Sequence, residues 1–241
     1  TPDVVTLDGK EYSVFDALLE LETERGDEDA YFFPTNLARF AINEPERTNK
    51  DKYFSQPEQG AQPEWVGLVK EFVLGFETAL QSNDFDRFSQ FIDVDSFVDF
   101  YITSEFFMTK DIGLSSTRFY IRNGKLYAGP LWDLDLSSGN IDDHQGAEAV
   151  EGLRSKESFQ WFKKLMENET FYKKVQDRYK ALQEQIEEIY ADGGKVDQAV
   201  EAIQKSAKTN YENAYNYKRA ETDEGRNVGW GYNYLYGTNG S

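Results

Sequence analysis

Two carboxylates, Asp133 and Asp135, stand one residue apart inside the run Gly129-Pro-Leu-Trp-Asp-Leu-Asp-Leu-Ser-Ser-Gly-Asn140. Like charges at that spacing repel, and burial raises the cost unless a positive group sits between them. On a strand, side chains alternate between faces. That geometry would turn Trp132, Leu134 and Leu136 into the core and set Asp133, Asp135 and Ser137 outward as a row of oxygens. Hard oxygen ligands suit Mg2+, Mn2+ or Ca2+, and a bound cation would remove the repulsion. Gly139 and Asn140 then supply a turn. The same pattern also fits an exposed acidic strand edge that binds nothing.

Other chemistries can be weighed against this one. An EF-hand loop starting at Asp133 would need Gly at its sixth position and Glu at its twelfth. Those positions hold Ser138 and His144, so that motif fails. His144, the only histidine, follows Asp142-Asp143 in a polar stretch and reads as a surface residue. There is no G-x-S-x-G elbow for a serine hydrolase and no Cys for a thiolate site or disulfide. Adjacent carboxylates on one strand fit poorly to the opposed acid and nucleophile of a glycosidase. The alternating aromatics Trp230, Tyr232, Tyr234 and Tyr236 could stack on sugars, or could form a strand over the core.

Composition narrows the partners. With 39% hydrophobic and 15% aromatic residues the chain is globular, not disordered. The net charge of −18 argues against nucleic acid and against an anionic membrane surface. It favours cations, or proteins with basic patches. No apolar run is long enough to span a bilayer. The absence of Cys, with many Tyr, Asn and Gly, suits a secreted or cell-surface bacterial protein.

The elements that must position Asp133 and Asp135 can be read from periodicity. Residues 17–22, 31–33 and 39–43 alternate or cluster as short strands, forming a small β region over 1–45. A polar, proline-containing loop follows. From Glu64 the spacing of Trp65, Leu68, Val69, Phe72, Val73 and Phe76 is helical. Asp84 is placed to cap a short helix with Phe85 and Phe88, and Asp95 to cap one with Phe97, Phe100, Tyr101 and Phe107. Asn123-Gly124 joins two short strands, 118–121 and 125–127, as a hairpin. Helices then follow over 159–166, from a Thr170 cap to Gly193-Gly194, and from Val196 past Tyr211. The fold expected is α+β, a small β region followed by a mostly helical body over 64–218 and an aromatic-rich tail over 219–241, within a single domain.

The run GPLWDLDLSSGN resembles the GPvWDfDlsfGN signature of CotH-type proteins, the atypical spore-coat kinase family. The likeness extends over roughly residues 15–215. Ile92-Asp-Val-Asp-Ser-Phe-Val-Asp-Phe100, Glu105-Phe-Phe-Met-Thr-Lys-Asp111, Ser115-Ser-Thr-Arg-Phe-Tyr120 and Asn123-Gly-Lys-Leu126 are similar to that family's approach to its signature. Leu18 to Glu22 and Ala41 to Glu46 resemble its strands, and Trp161 to Leu165 and Phe171 to Val175 its helices.

The resemblance implies the C-terminal lobe of an atypical protein-kinase-like fold and Mg2+- or Mn2+-ATP-dependent phosphorylation of protein Ser or Thr. Matched by position, Asp111 is the counterpart of the catalytic-loop Asp, which orients the attacking hydroxyl. Asp133 is implied as the metal-binding Asp, with Asp135 as second ligand or support. Ser116 stands where many members have Asn or Ser, and Arg118 and Lys110 are the nearest cations for phosphate. Asn140 is placed to fix the turn beside the nucleotide site. Three departures stand out. Position 43 is Asn where relatives often have Lys, Leu134 replaces a Phe, and the chain begins after the family's nucleotide-covering strands, as expected of an excised fragment. The other readings of the sequence are a non-catalytic surface or assembly module on the same scaffold, and a Ca2+- or carbohydrate-binding module.

Overall fold

The computed structural model describes residues 2–22, 31–45, 62–138 and 152–221, with the side chains of 211–221 left aside. It is mixed α+β, and the chain divides into two compact units. The first comprises residues 1–138 and 150–176, and the second residues 139–149 and 177–241.

In the first unit, β1 (Asp3–Leu7) and β2 (Lys10–Val14) form a two-stranded antiparallel hairpin. Its turn places Asp8 at φ 48° and Gly9 at φ 75°, the left-handed pair that a tight hairpin needs. Asp8 also ties the hairpin to a helix, because its carboxylate accepts a forked pair of bonds from Arg87 at 2.7 and 2.9 Å.

The main sheet has five antiparallel strands in the order β4-β5-β3-β6-β7. These are β3 (Ala17–Leu21), β4 (Tyr31–Pro34), β5 (Arg39–Glu44), β6 (Arg118–Arg122) and β7 (Lys125–Ala128). The late hairpin β6-β7 is therefore not a separate element. Leu19 faces Phe119 and Glu20 faces Arg118 across the β3-β6 pair, so strands distant in sequence share one sheet. The Asn123-Gly124 turn forms as its residues require, at φ 51° and 70°.

Period-two alternation decides the faces. Leu19, Leu21, Phe40, Ile42, Phe119, Ile121 and Leu126 are all buried on the inner face. Against it pack α1 (Glu64–Gln81), α3 (Val94–Phe106) and α5 (Gln160–Glu167). Two short helices complete this body, α2 (Phe85–Phe88) and α4 (Arg154–Ser158). Asp84 caps α2 by accepting from the Asp86 and Arg87 amides. The cap of α3 is Asp93, not Asp95, because the chain turns into the helix two residues earlier and Asp93 accepts from the Ser96 amide at 2.9 Å.

Trp161 is the hub of the core. It is fully buried, and its ring lies 5.0 Å from Phe40 and 4.9 Å from both Phe76 and Phe119. Beside it sits a buried carboxylate. Glu77 accepts from Thr35 Oγ1 at 2.7 Å, Asn36 N at 3.1 Å and Trp161 Nε1 at 2.9 Å. It thus joins α1 to the β4-β5 turn and to α5. Burial pushes its carboxyl above the ordinary 4.5, against the opposing pull of those donors.

A carboxyl with a raised folded pKa binds its proton more tightly when folded. Its stabilising contribution is complete below 4.5 and is lost as pH rises through the raised folded value. Melting curves of wild type and Glu77→Gln across acidic to neutral pH should show this component of the slope in wild type and its loss in the variant. Parallel curves would refute it.

The helix α6 (Glu169–Tyr190) begins in the first unit, where Phe171 and Val175 are buried. Its cap is Asn168, whose Oδ1 accepts from the Thr170 and Phe171 amides at 3.1 Å. Thr170 lies inside the helix because the longer Asn168 side chain reaches both free amides first. In the second unit, the rest of α6 turns at Gly193-Gly194 into α7 (Lys195–Glu221), and Asp197 accepts from the Gly193 amide at 2.7 Å.

Candidate functional site

The site is built from two loops. The first leaves the C-terminal end of α3 and carries Asp111 and Ser116 into β6. The second leaves β7 and carries Asp133 and Asp135. Backbone bonds fasten them together: Lys110 N donates to Leu136 O at 3.0 Å, and Ser138 N donates to Phe107 O at 2.6 Å.

The second loop is not a strand. Asp133 sits at φ 56°, in the left-handed region that breaks period-two alternation. Trp132 consequently does not enter the core. It is 51% exposed, and Leu136 is only half-buried. Leu134 half-buries itself in a crevice shared with Asp111, Ser116, Thr117 and Leu131. The expected row of inward Trp132, Leu134 and Leu136 is replaced by a turn that swings Asp133 toward the first loop.

Ser116 occupies the facing position. It too is left-handed, at φ 55°, and its Oγ donates to Asp133 Oδ2 at 3.1 Å. Met108 and Ser138, at the start of one loop and the end of the other, are left-handed as well. Non-glycine residues in this region each cost about 1–3 kcal/mol, and such strain gathers where function requires a fixed geometry.

Asp111 completes the cluster. Burial pushes its carboxyl above the ordinary 3.8, and the charges of Asp133 and then Asp135 push it further, against Lys110 and Arg154. Three acidic groups therefore feel one another here. Among the described residues, no three His, Asp or Glu side chains converge closely enough to hold a metal by themselves.

Arg118 lies on the outer face of the sheet, at the start of β6. Its guanidinium sits 3.9 Å from the centre of the Trp132 ring and 3.2 Å from Glu20 Oε2. Asn43 also donates to Glu20, so the position where Lys was expected joins the same polar group. Farther along this face, Tyr120 and Tyr127 stack with ring centres 4.8 Å apart. An open groove of about 350 Å3 runs past Leu18, Glu44, Pro45, Tyr120 and Arg122.

Two further groups hold the loops in register, and neither was evident from spacing. Glu105, at the end of α3, accepts from the Arg154 amide at 2.7 Å and the Lys156 amide at 3.1 Å, supplying the cap that α4 lacks. Gly113 adopts φ 83°, and a Cβ there would collide with the Ser158 carbonyl oxygen. Gly113→Ala should therefore cost at least about 1 kcal/mol, from conformational strain plus the clash. Urea unfolding reads the loss, and an unchanged midpoint would show that the loop is free to move away from α4.

Of the residues singled out from the sequence, Asp111, Ser116, Asp133 and Asp135 come together, and Arg118 lies beside them through Trp132. Asn140, His144 and the aromatic residues 230–236 lie outside the described residues. No described helix is long and apolar enough to cross a membrane. Compared with known proteins, the chain matches the family model described as CotH kinase protein over residues 16–234. No curated protein and no solved structure matches it significantly.

Proposed function

The chain belongs to the CotH kinase protein family, and from that premise we propose that it transfers the terminal phosphoryl group of ATP to serine or threonine hydroxyls of surface proteins. The fold read in this way is related to the C-terminal lobe of a protein kinase. The observation that carries the reading is the left-handed pair Ser116 and Asp133, bonded to each other beside Asp111. Two strained residues on separate loops are held in one geometry, next to a carboxyl of raised proton affinity.

In this reading Asp111 receives the acceptor hydroxyl and orients its oxygen, and its raised proton affinity suits it to take up the proton. Asp133 would hold Mg2+ or Mn2+, with Asp135 as second carboxylate and Ser116 keeping Asp133 in place. The donor set fits such an ion. All donors are hard oxygens, and Mg2+ commonly takes only one or two carboxylates and completes its shell with water and phosphate. The bound ion would offset negative charge on the phosphates. Arg118, over the Trp132 ring, could meet a phosphate oxygen once released from Glu20, and Lys110 and Arg154 act on Asp111 itself. The groove past Tyr120 offers room for the nucleotide base, two residues or about 7 Å along the strand from Arg118. Net charge of −18 favours acceptor proteins with basic surfaces.

The test is a thermal-shift titration with Mg2+, Mn2+ and Ca2+, each with and without ATP, beside transfer of label from ATP to myelin basic protein as a general acceptor. Binding to the folded state alone raises the midpoint. The expected result is a shift that requires metal and ATP together, with label on Ser or Thr. A shift with Ca2+ alone and no label would replace the kinase reading with a calcium-binding one.

A further inference from the structure

A large indole, Trp132, stands half in solvent beside the carboxylate cluster, and the core closes without it. One face of its ring is covered by Arg118, whose guanidinium lies 3.9 Å from the ring centre. The same residue walls the crevice shared by Asp111, Ser116 and Leu134. Trp132 therefore stands between the carboxylates and the outer face of the sheet, and it immediately precedes Asp133 in the chain.

Arg118 has two anchors of different kinds. A terminal nitrogen donates to Glu20 Oε2 at 3.2 Å, and Asn43 donates to that same oxygen. Arg87, by contrast, grips Asp8 through a fork at 2.7 and 2.9 Å. Among the described residues, the Arg118 Nε is buried and has no hydrogen-bond partner. Glu20 thus uses only part of the guanidinium, and it retains Asn43 when the arginine leaves. An anion with several oxygens can compete with such a pair, because it can accept from more of the donors. It does not compete with the indole. That contact uses the flat face of the guanidinium and leaves its edge free for hydrogen bonds.

We propose that Trp132 is a positioning residue for Arg118, holding the guanidinium in place while a polyphosphate takes over the position of Glu20. The inference rests on the phosphotransfer reading for its choice of anion. Asp133, the next residue, is fixed at φ 56° by its bond from Ser116. Stacking on Trp132 therefore also sets Arg118 in register with the proposed metal residue. Without the ring, binding would have to immobilise a long side chain, which lowers affinity by about threefold to tenfold.

The experiment uses tripolyphosphate with Mg2+, a probe without base or sugar, and reads binding by isothermal titration calorimetry. Wild type is compared with Trp132→Leu, which keeps apolar bulk, and Trp132→Phe, which keeps a ring. Position 132 is exposed, so both variants should retain the melting temperature. The expected result is an affinity lowered about threefold to tenfold in Trp132→Leu and kept within about twofold in Trp132→Phe. In an Arg118→Gln background, Trp132→Leu should have no further effect, because the two residues act as a unit. The Nε–H proton resonance of Arg118, identified by its loss in Arg118→Gln, should also move in Trp132→Leu before any anion is added. Wild-type affinity in Trp132→Leu overturns the proposal. So does an equal loss in Trp132→Phe, or a full further loss in the Arg118→Gln background, because either makes Trp132 a structural residue. Absence of binding by wild type overturns it as well. Failure of the kinase reading appears separately, as tripolyphosphate bound in the expected pattern with no label passed from ATP to protein.

Discussion

Asp133→Asn is expected to reduce phosphoryl transfer by about a thousandfold while leaving the melting temperature unchanged or raised. The stability half follows from the geometry, and the transfer half from the proposed metal role. Asn is among the residues best able to occupy the left-handed region, so φ 56° is retained. Its side-chain oxygen can still accept from Ser116 Oγ, as Asp133 does at 3.1 Å. What disappears is one negative charge, and Asp111 feels that charge unfavourably. Removing it relieves repulsion in the folded state but would deprive the proposed metal site of one carboxylate. A residue that costs stability and supplies function shows this signature. The measurement pairs a melting curve with labelled transfer at saturating Mn2+ and ATP. Transfer within a few-fold of wild type would remove Asp133 from the proposed metal role. A large drop in melting temperature would make it a structural residue.

Trp161→Ala should give the largest loss of stability, about 4 kcal/mol from transfer and cavity terms. Trp161 is fully buried among Phe40, Phe76, Phe119 and Phe159, with the closest ring centres 4.9 Å away. Its truncation opens the centre where the sheet, α1 and α5 meet. It also removes the indole donor from Glu77, whose carboxylate is fully buried and whose remaining donors include Thr35 and the Asn36 and Leu37 amides. For a body of this size, about 4 kcal/mol corresponds to a fall of about 8–16 °C in the melting midpoint. Trp161→Phe helps separate the two contributions, because it keeps an aromatic ring in the site while losing the N–H and a smaller part of the volume than Trp161→Ala does. That variant should cost about 1–3 kcal/mol, the penalty of an unpaired buried group. Equal losses in the two variants would place the energy in the hydrogen bond rather than the packing, and a loss under 1 kcal/mol in Trp161→Ala would deny the hub altogether.

Much of the secondary structure was legible because its signals are local. The strand of Ala17–Leu21, the helix from Glu64, the Asp84 cap and the Asn123-Gly124 hairpin all form where period and turn chemistry place them. The β1-β2 hairpin falls within the β region expected over 1–45, and Asp8-Gly9 supplies its turn signal. Capping residues were harder. Asp93 displaced Asp95, and Asn168 displaced Thr170, because nearby polar residues compete and only the backbone path selects one.

The sequence alone determined the inventory of the site. Asp133 and Asp135 stand out by type and spacing, and Asp111 and Ser116 join them only through likeness to one family, a family to which the chain belongs. It determined the charge of −18 and the alternation that buries one face of the sheet. Tertiary structure decided how those residues meet. The apolar alternation around Asp133 reads as a strand, yet the loop's bonds to Phe107 and Lys110 outweigh that preference and hold Asp133 left-handed against Ser116. The same is true of β6, which finds its partner nearly a hundred residues upstream in β3, and of Trp132, which stacks on Arg118 instead of entering the core. Hydrophobic period records which side of an element is apolar, and no local pattern encodes the closure of distant loops, because that free energy is supplied by contacts between residues far apart in the chain.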